Sequence, residues 1–157
     1  MLGLTIALAM IMSYIEALVP LSFAVPGIKM GLANIVIIFV LYKIGTKEAI
    51  LVSLIRVILV SLLFSNVMAM AYSIAGAVLS LSVMWLLKKT DRFSFVGVSI
   101  AGGIMHNVGQ IIMAVILLGT EQIALYLPVL IITGTVTGVV IGIVSGLVIN
   151  RFKTIRL

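Results

Sequence analysis

Glu16, Arg56 and His106 demand a chemical explanation, because each interrupts a long apolar run. An ionisable side chain at membrane depth costs a few kcal/mol on insertion scales, so it faces a bundle interior, a partner or a water-filled hollow. Lys29, Asn34, Tyr72, Asn107 and Gln110 extend the set, with His106 and Gln110 one turn apart on one helix face. Guanidinium and ammonium groups donate to anions, while amides and imidazole supply directional hydrogen bonds. Ringed by Met and aliphatic residues, such groups suit a small molecule with an anionic or hydrogen-bond-rich end and an apolar remainder. We therefore expect Glu16, Lys29, Asn34, Arg56, Tyr72, His106, Asn107 and Gln110 to line a ligand site, Arg56 and Lys29 engaging the anionic group and Glu16 orienting Arg56 or accepting from the ligand. Simpler roles stay open for the same residues. Glu16 and Lys29 could be wetted rim groups, Arg56 could make a structural ion pair with Glu16, and His106, Asn107 and Gln110 could form an interhelical hydrogen-bond cluster.

Other chemistries are poorly served. The sequence has no G-x-x-x-x-G-K-[ST] phosphate cradle, so nucleotide hydrolysis must come from another chain. With 1 His and 0 Cys, it cannot by itself build a zinc, bis-His haem or iron–sulfur centre, and no cofactor is expected. Its 4 acidic residues, Glu16, Glu48, Asp91 and Glu121, are widely separated, and no Ser/His/Asp set is convincingly placed, so catalysis is not expected. Polar rings through the full membrane depth, which a channel needs, are also missing.

The elements that must position these residues follow from composition. Hydrophobic residues make up 64% of the 157 and charged residues 9%, with a mean hydropathy of +1.44. A soluble domain needs about 25% charged residues, so the solvent here is lipid. A bilayer core of about 30 Å takes on the order of 20 apolar residues per helix. Six such windows fit, at about 2–19, 27–44, 47–65, 67–87, 94–118 and 127–150, giving an all-α domain of six transmembrane helices over residues 1–157. The net charge of +6 does not indicate nucleic acid, because the basic residues cluster between and after apolar runs. Lys43, Lys47, Lys88, Lys89, Arg92, Arg151, Lys153 and Arg156 fall in loops or the tail on one side, Lys29 on the other, and Arg56 within a span. By the positive-inside rule both termini are cytoplasmic and the protein is multi-pass in the cell membrane. Tyr14 and Glu16, with no preceding basic region, argue against a cleaved signal.

On this topology the polar set maps to the outer half, so a cavity is expected to open outward and to be closed below by small, tightly packed residues. The Pro20 to Pro26 segment would act as its outer lid. Gly134, Gly138, Gly142 and Gly146, at every fourth position, are expected to let a neighbouring helix approach closely. Gly3, Ala7 and Ala9 form a smaller face on the first helix that could meet another subunit. The echo of Ser73-Ile-Ala-Gly76 in Ser99-Ile-Ala-Gly102 reads as a shared packing need.

The stretches Ser13-Tyr-Ile-Glu16-Ala-Leu-Val-Pro20, Pro26-Gly-Ile-Lys29-Met-Gly-Leu-Ala-Asn34, Arg56 and Ser99-Ile-Ala-Gly-Gly-Ile-Met-His106-Asn107-Val-Gly109-Gln110 together resemble a bacterial family catalogued as heptaprenyl diphosphate synthase component I, also called the Gx transporter family. That family is similar in size and layout to the S components of energy-coupling-factor (ECF) transporters, which bind a micronutrient near the outer face. The resemblance implies a partner transmembrane scaffold with two ATPases, and docking on it through Gly3, Ala7 and Ala9. The strict AxxxA pair is lacking at that face. The catalogue name implies instead a non-catalytic membrane subunit of a prenyl synthase, since the clustered carboxylates that hold Mg²⁺ and diphosphate are missing. A quinone- or flavin-linked electron-transfer subunit is compatible with an apolar cavity, although no residue demands it.

Overall fold

The structure, a computed structural model, describes residues 2–18 and 31–152. Among them all regular structure is helical: α1 (Leu2–Leu18), α2 (Leu32–Lys43), α3 (Thr46–Phe64), α4 (Val67–Lys89), α5 (Phe95–Leu118) and α6 (Leu127–Arg151), with a 3₁₀ turn at Glu121–Tyr126 leading into α6. Local chemistry sets several boundaries. The Asn66 side chain accepts from the Ala69 N–H at 2.8 Å to start α4, and Ser94 accepts from the Gly97 N–H at 3.2 Å to start α5. Gly119, at φ 62°, ends α5 in the left-handed conformation, and Pro128 stands in the first turn of α6, where its missing N–H costs nothing.

Each of the six expected windows contains a helix among the described residues, and α2 departs most from expectation. It begins at Leu32 instead of about residue 27, after Gly31 at φ 71°, a conformation that favours glycine. Its 12 residues reach about 18 Å, short of a bilayer core. Among the described residues, three helical stretches are long and apolar enough to cross a membrane: Val67–Lys89, Phe95–Leu118 and Glu121–Arg151. α1 and α2 are shorter apolar helices, and α3, at 19 residues, carries Lys47, Glu48 and Arg56. Lys29 and the Pro20 to Pro26 segment lie outside the described residues.

Helix contacts run from α2 to α3, α4, α5, α6 and back to α2, a closed ring, with α1 laid over α2 and α3. The tight side of the ring is built on glycine. A Cβ on Gly138 would stand 2.7 Å from the Ile100 Cα, and one on Gly142 2.6 Å from the Val96 Cα, so the glycine stripe of α6 meets α5 backbone to backbone along most of its length, giving way to the Phe95 side chain at Gly146. A Cβ on Gly109 would fall 2.7 Å from the Ala75 carbonyl oxygen, bringing α4 and α5 equally close. Gly76 and Gly102 of the echoed tetrapeptides face that same seam, against His106 and Met84 respectively.

The core lies toward the end of the bundle that carries Lys43, Lys47, Lys88 and Lys89, here termed the basic end. Ile37, Ile38, Val40 and Leu41 of α2 are almost wholly buried, as expected of a helix apolar on every side. They join Ala49, Val52, Leu81 and Val98 in one cluster. Tyr42 meets Phe95 edge-on at 4.8 Å, and Lys88 reaches across to the Leu41 carbonyl. The expected floor of small residues is therefore corrected: large aliphatic and aromatic side chains close this end. Small residues pull α4, α5 and α6 together, whereas α2 must fill the space those helices enclose, and only bulky side chains do so.

Candidate functional site

Arg56 occupies the interior stripe of α3. Ala49, Val52, Ser53 and Val57 on that stripe are buried, and helical spacing carries Arg56 onto the same face, away from lipid. Its Nη1 donates to the Ser13 Oγ at 3.2 Å, and its Nε is buried without an acceptor among the described residues. Glu16, one turn beyond Ser13 on α1, supplies a carboxylate to the same neighbourhood and interacts electrostatically with Arg56. Glu16 also accepts from the Gly31 N–H at 2.5 Å. That N–H precedes the first turn of α2, where backbone donors point outward and a carboxylate is favoured. One carboxylate thus links α1, the start of α2 and the guanidinium of α3.

A cavity of about 40 Å³ adjoins this cluster. Its polar lining includes Glu16, Asn34, Arg56, His106, Asn107 and Thr137, and its apolar lining includes Ile38, Met84 and Ile141. Five of the eight residues expected from sequence, drawn from α1, α2, α3 and α5, therefore converge on one hollow. At roughly 10–15 Å³ of such volume per water, it has room for about three water molecules. Ligand pockets for small organic molecules run to about 300–1,000 Å³, so the hollow as it stands is too small to hold one.

Tyr72 and Gln110 do not line it. Gln110 lies against α4, where its Cγ would be 3.0 Å from a Cβ on Gly76, and Tyr72 is half-buried on the same helix. One turn raises Gln110 about 6 Å along the axis from His106, which carries it past the hollow although the two share a face. Asn107 has a second duty: its Nδ2 donates to the Leu130 carbonyl at 2.7 Å, tying α5 to α6. Gly134 makes this bond possible, since a Cβ there would stand 2.8 Å from that Nδ2.

Sequence reasoning did not assign Ser13, Ser99 or Thr137 to the site. Ser13 was legible, lying three residues before Glu16 and hence on the same face. Thr137 bonds its own helix through the Thr133 carbonyl at 2.9 Å, and no sequence pattern marks it out. At the proposed partner face, Gly3 and Ala7 are exposed, and a Cβ on Gly3 would meet nothing within 4 Å. Ala9 is completely buried, at 0% exposure, so it belongs to the α1 core contact and is withdrawn from that face. Two residues after Ala7 the helix has turned about 200°, which puts Ala9 on the opposite side.

The lining is nearly balanced in charge, with one guanidinium against one carboxylate. Arg56 with Glu16 beside it favours a hydrogen-bond acceptor of modest charge over a strongly anionic one, and the imidazole and amides can read its orientation. A family model described as heptaprenyl diphosphate synthase component I matches residues 5–148. No curated protein and no solved structure matches the chain.

Proposed function

The chain belongs to the heptaprenyl diphosphate synthase component I family, and we propose that it works as a substrate-binding membrane subunit for uptake of a small organic micronutrient. It would cross the bacterial cytoplasmic membrane six times with both termini inside, resembling an ECF S component. A separate transmembrane scaffold with ATPases would drive it. One observation carries this reading: Arg56 lines the hollow, and its buried Nε has no acceptor among the described residues. Leaving a buried donor unmade costs about 1–3 kcal/mol, which a bound acceptor would return. Lys29, which lies outside the described residues, would engage the same group, as its charge suggests. Because the hollow is small, a micronutrient enters only if α1 and α2 part, and the Glu16 to Gly31 hydrogen bond is the contact that must open.

The test is native mass spectrometry on the chain purified from growing cells. The wild type is expected to carry a small-molecule adduct that Arg56→Ala lacks while it remains inserted and helical. Equal adducts in both, or none in the wild type, would overturn the assignment.

A second reading is favoured by the family description itself. "Component I" implies another component, so the chain would be an accessory, non-catalytic membrane subunit of a prenyl diphosphate synthase, whose catalytic carboxylates come from its partner. Mg²⁺-dependent prenyl transfer that appears only when this chain is added to a soluble synthase component would favour it over uptake.

A further inference from the structure

A second feature lies on the outside of the bundle, toward the basic end and away from the polar hollow. Between α3 and α4 runs a groove of about 460 Å³, walled by Ile50, Leu54, Ala77, Val78 and Leu81. Its origin is the missing glycine. α4 and α5 close on Gly76 and Gly109, but α3 presents Ile50 and Leu54 to α4, and these hold the two helices apart. Ile50 is 42% and Val78 54% exposed. The hydroxyl of Ser82, also on the wall, is turned back to the Val78 carbonyl at 2.8 Å, so it leaves the surface apolar.

The mouth of the groove is chemically different. Lys47, Thr46 and Trp85 line it at the basic end, and the Lys89 ammonium lies 5.5 Å from the centre of the Trp85 ring. The neighbouring cations are engaged elsewhere, Lys88 with the Leu41 carbonyl and Lys43 with the Phe152 carbonyl at 2.8 Å. Glu48 folds back over Gly45 and does not line the groove. Two exposed ammonium groups and an indole thus stand above an apolar slot with no carboxylate among its described lining residues.

From Thr46 to Leu54 the slot is about 12 Å long at 1.5 Å per residue, most of one leaflet of a hydrocarbon core about 30 Å thick. An apolar slot of about one leaflet's depth beneath two exposed ammonium groups matches an acyl chain under an anionic headgroup, whereas a membrane-spanning partner helix would need a seam of about 30 Å. We propose that this groove holds one acyl chain of an anionic phospholipid, with its phosphate on Lys47 and Lys89. Basic pockets between helices on the cytoplasmic side bind such headgroups, at about 1 kcal/mol per lysine, which is about fivefold in affinity for each and about 30-fold for the pair.

The experiment uses the full chain in nanodiscs of equal phosphatidylglycerol and phosphatidylcholine, released for native mass spectrometry. One retained phosphatidylglycerol is expected, preferred about 30-fold. Lys47→Ala and Lys89→Ala should each lower that preference about fivefold, and Val78→Trp, which fills the slot from an exposed position, should release the lipid with helicity unchanged by circular dichroism. Equal retention of phosphatidylcholine, a preference untouched in the lysine double variant, or Val78→Trp retaining lipid as the wild type does would each overturn the proposal. Displacement of the phospholipid by equimolar heptaprenyl diphosphate would also overturn it, and would give the groove to a prenyl chain. The polar hollow takes no part in these outcomes, so the uptake proposal stands or falls separately.

Discussion

Replacing Gly134 by alanine places one methyl group at the point where α5, α6 and the polar hollow meet. The new Cβ would lie 2.8 Å from the Asn107 Nδ2 and 3.2 Å from the Gly103 carbonyl carbon and oxygen. Ordinary contact between carbon atoms needs about 3.5–4.0 Å, so the side chain must swing away or the helices must part. Losing the Asn107 to Leu130 hydrogen bond costs about 0.6 kcal/mol, the average for interhelical bonds in a membrane, and overpacking costs about 1–3 kcal/mol. Alanine returns up to about 1 kcal/mol of helix propensity. The balance is a loss of about 1–3 kcal/mol, read from unfolding by sodium dodecyl sulfate in mixed micelles with tryptophan fluorescence or circular dichroism. Combining Gly134→Ala with Asn107→Ala separates the terms: if crowding of the amide matters, the glycine substitution costs less in the alanine background. Gly3→Ala is the matched control, because nothing lies within 4 Å of its Cβ, and it should be neutral or slightly stabilising. A Gly134→Ala protein as stable as the wild type would refute the close α5–α6 approach.

Two further outcomes follow from the site and the surface. Glu16→Ala removes the carboxylate beside Arg56 and leaves a buried charge uncompensated, which should cost about 3–5 kcal/mol; the Glu16→Ala, Arg56→Leu double variant should recover most of it in the same unfolding assay, and a double variant no better than Glu16→Ala would show that the pair is not coupled. Gly3→Leu and Ala7→Leu point into open space, so stability should not change, but if α1 meets an energising scaffold, pull-down of that scaffold should fall several-fold; full recovery would remove this face from the interface.

The two ends of α2 illustrate how unevenly the fold was legible. Its last turn fell where the apolar window predicted, because Lys43 must leave the lipid. Its start did not, because the window 27–44 continued across Gly31, whose left-handed conformation ends the helix there. α4, α5 and α6 were placed within two residues at each end by hydropathy, helped by caps at Asn66 and Ser94 and by Pro128. In the site, Arg56 donates to Ser13 of α1, and Glu16, Asn34, Arg56, His106 and Asn107 line one hollow, while Tyr72 and Gln110 fall outside it.

By itself, then, the sequence determined the solvent, the helical segments and the glycine stripe of α6, because each depends on composition or spacing within a single stretch of chain. Which polar groups meet was decided only by tertiary structure. In a soluble helix hydropathy tells the inner face from the outer one, but against lipid both faces are apolar and the pattern no longer encodes rotation. The azimuth and height of each helix are fixed by where backbones can touch, at Gly103 with Gly134 and Ala75 with Gly109. Those contacts, made between distant parts of the chain, bring His106 to the hollow and carry Gln110 past it.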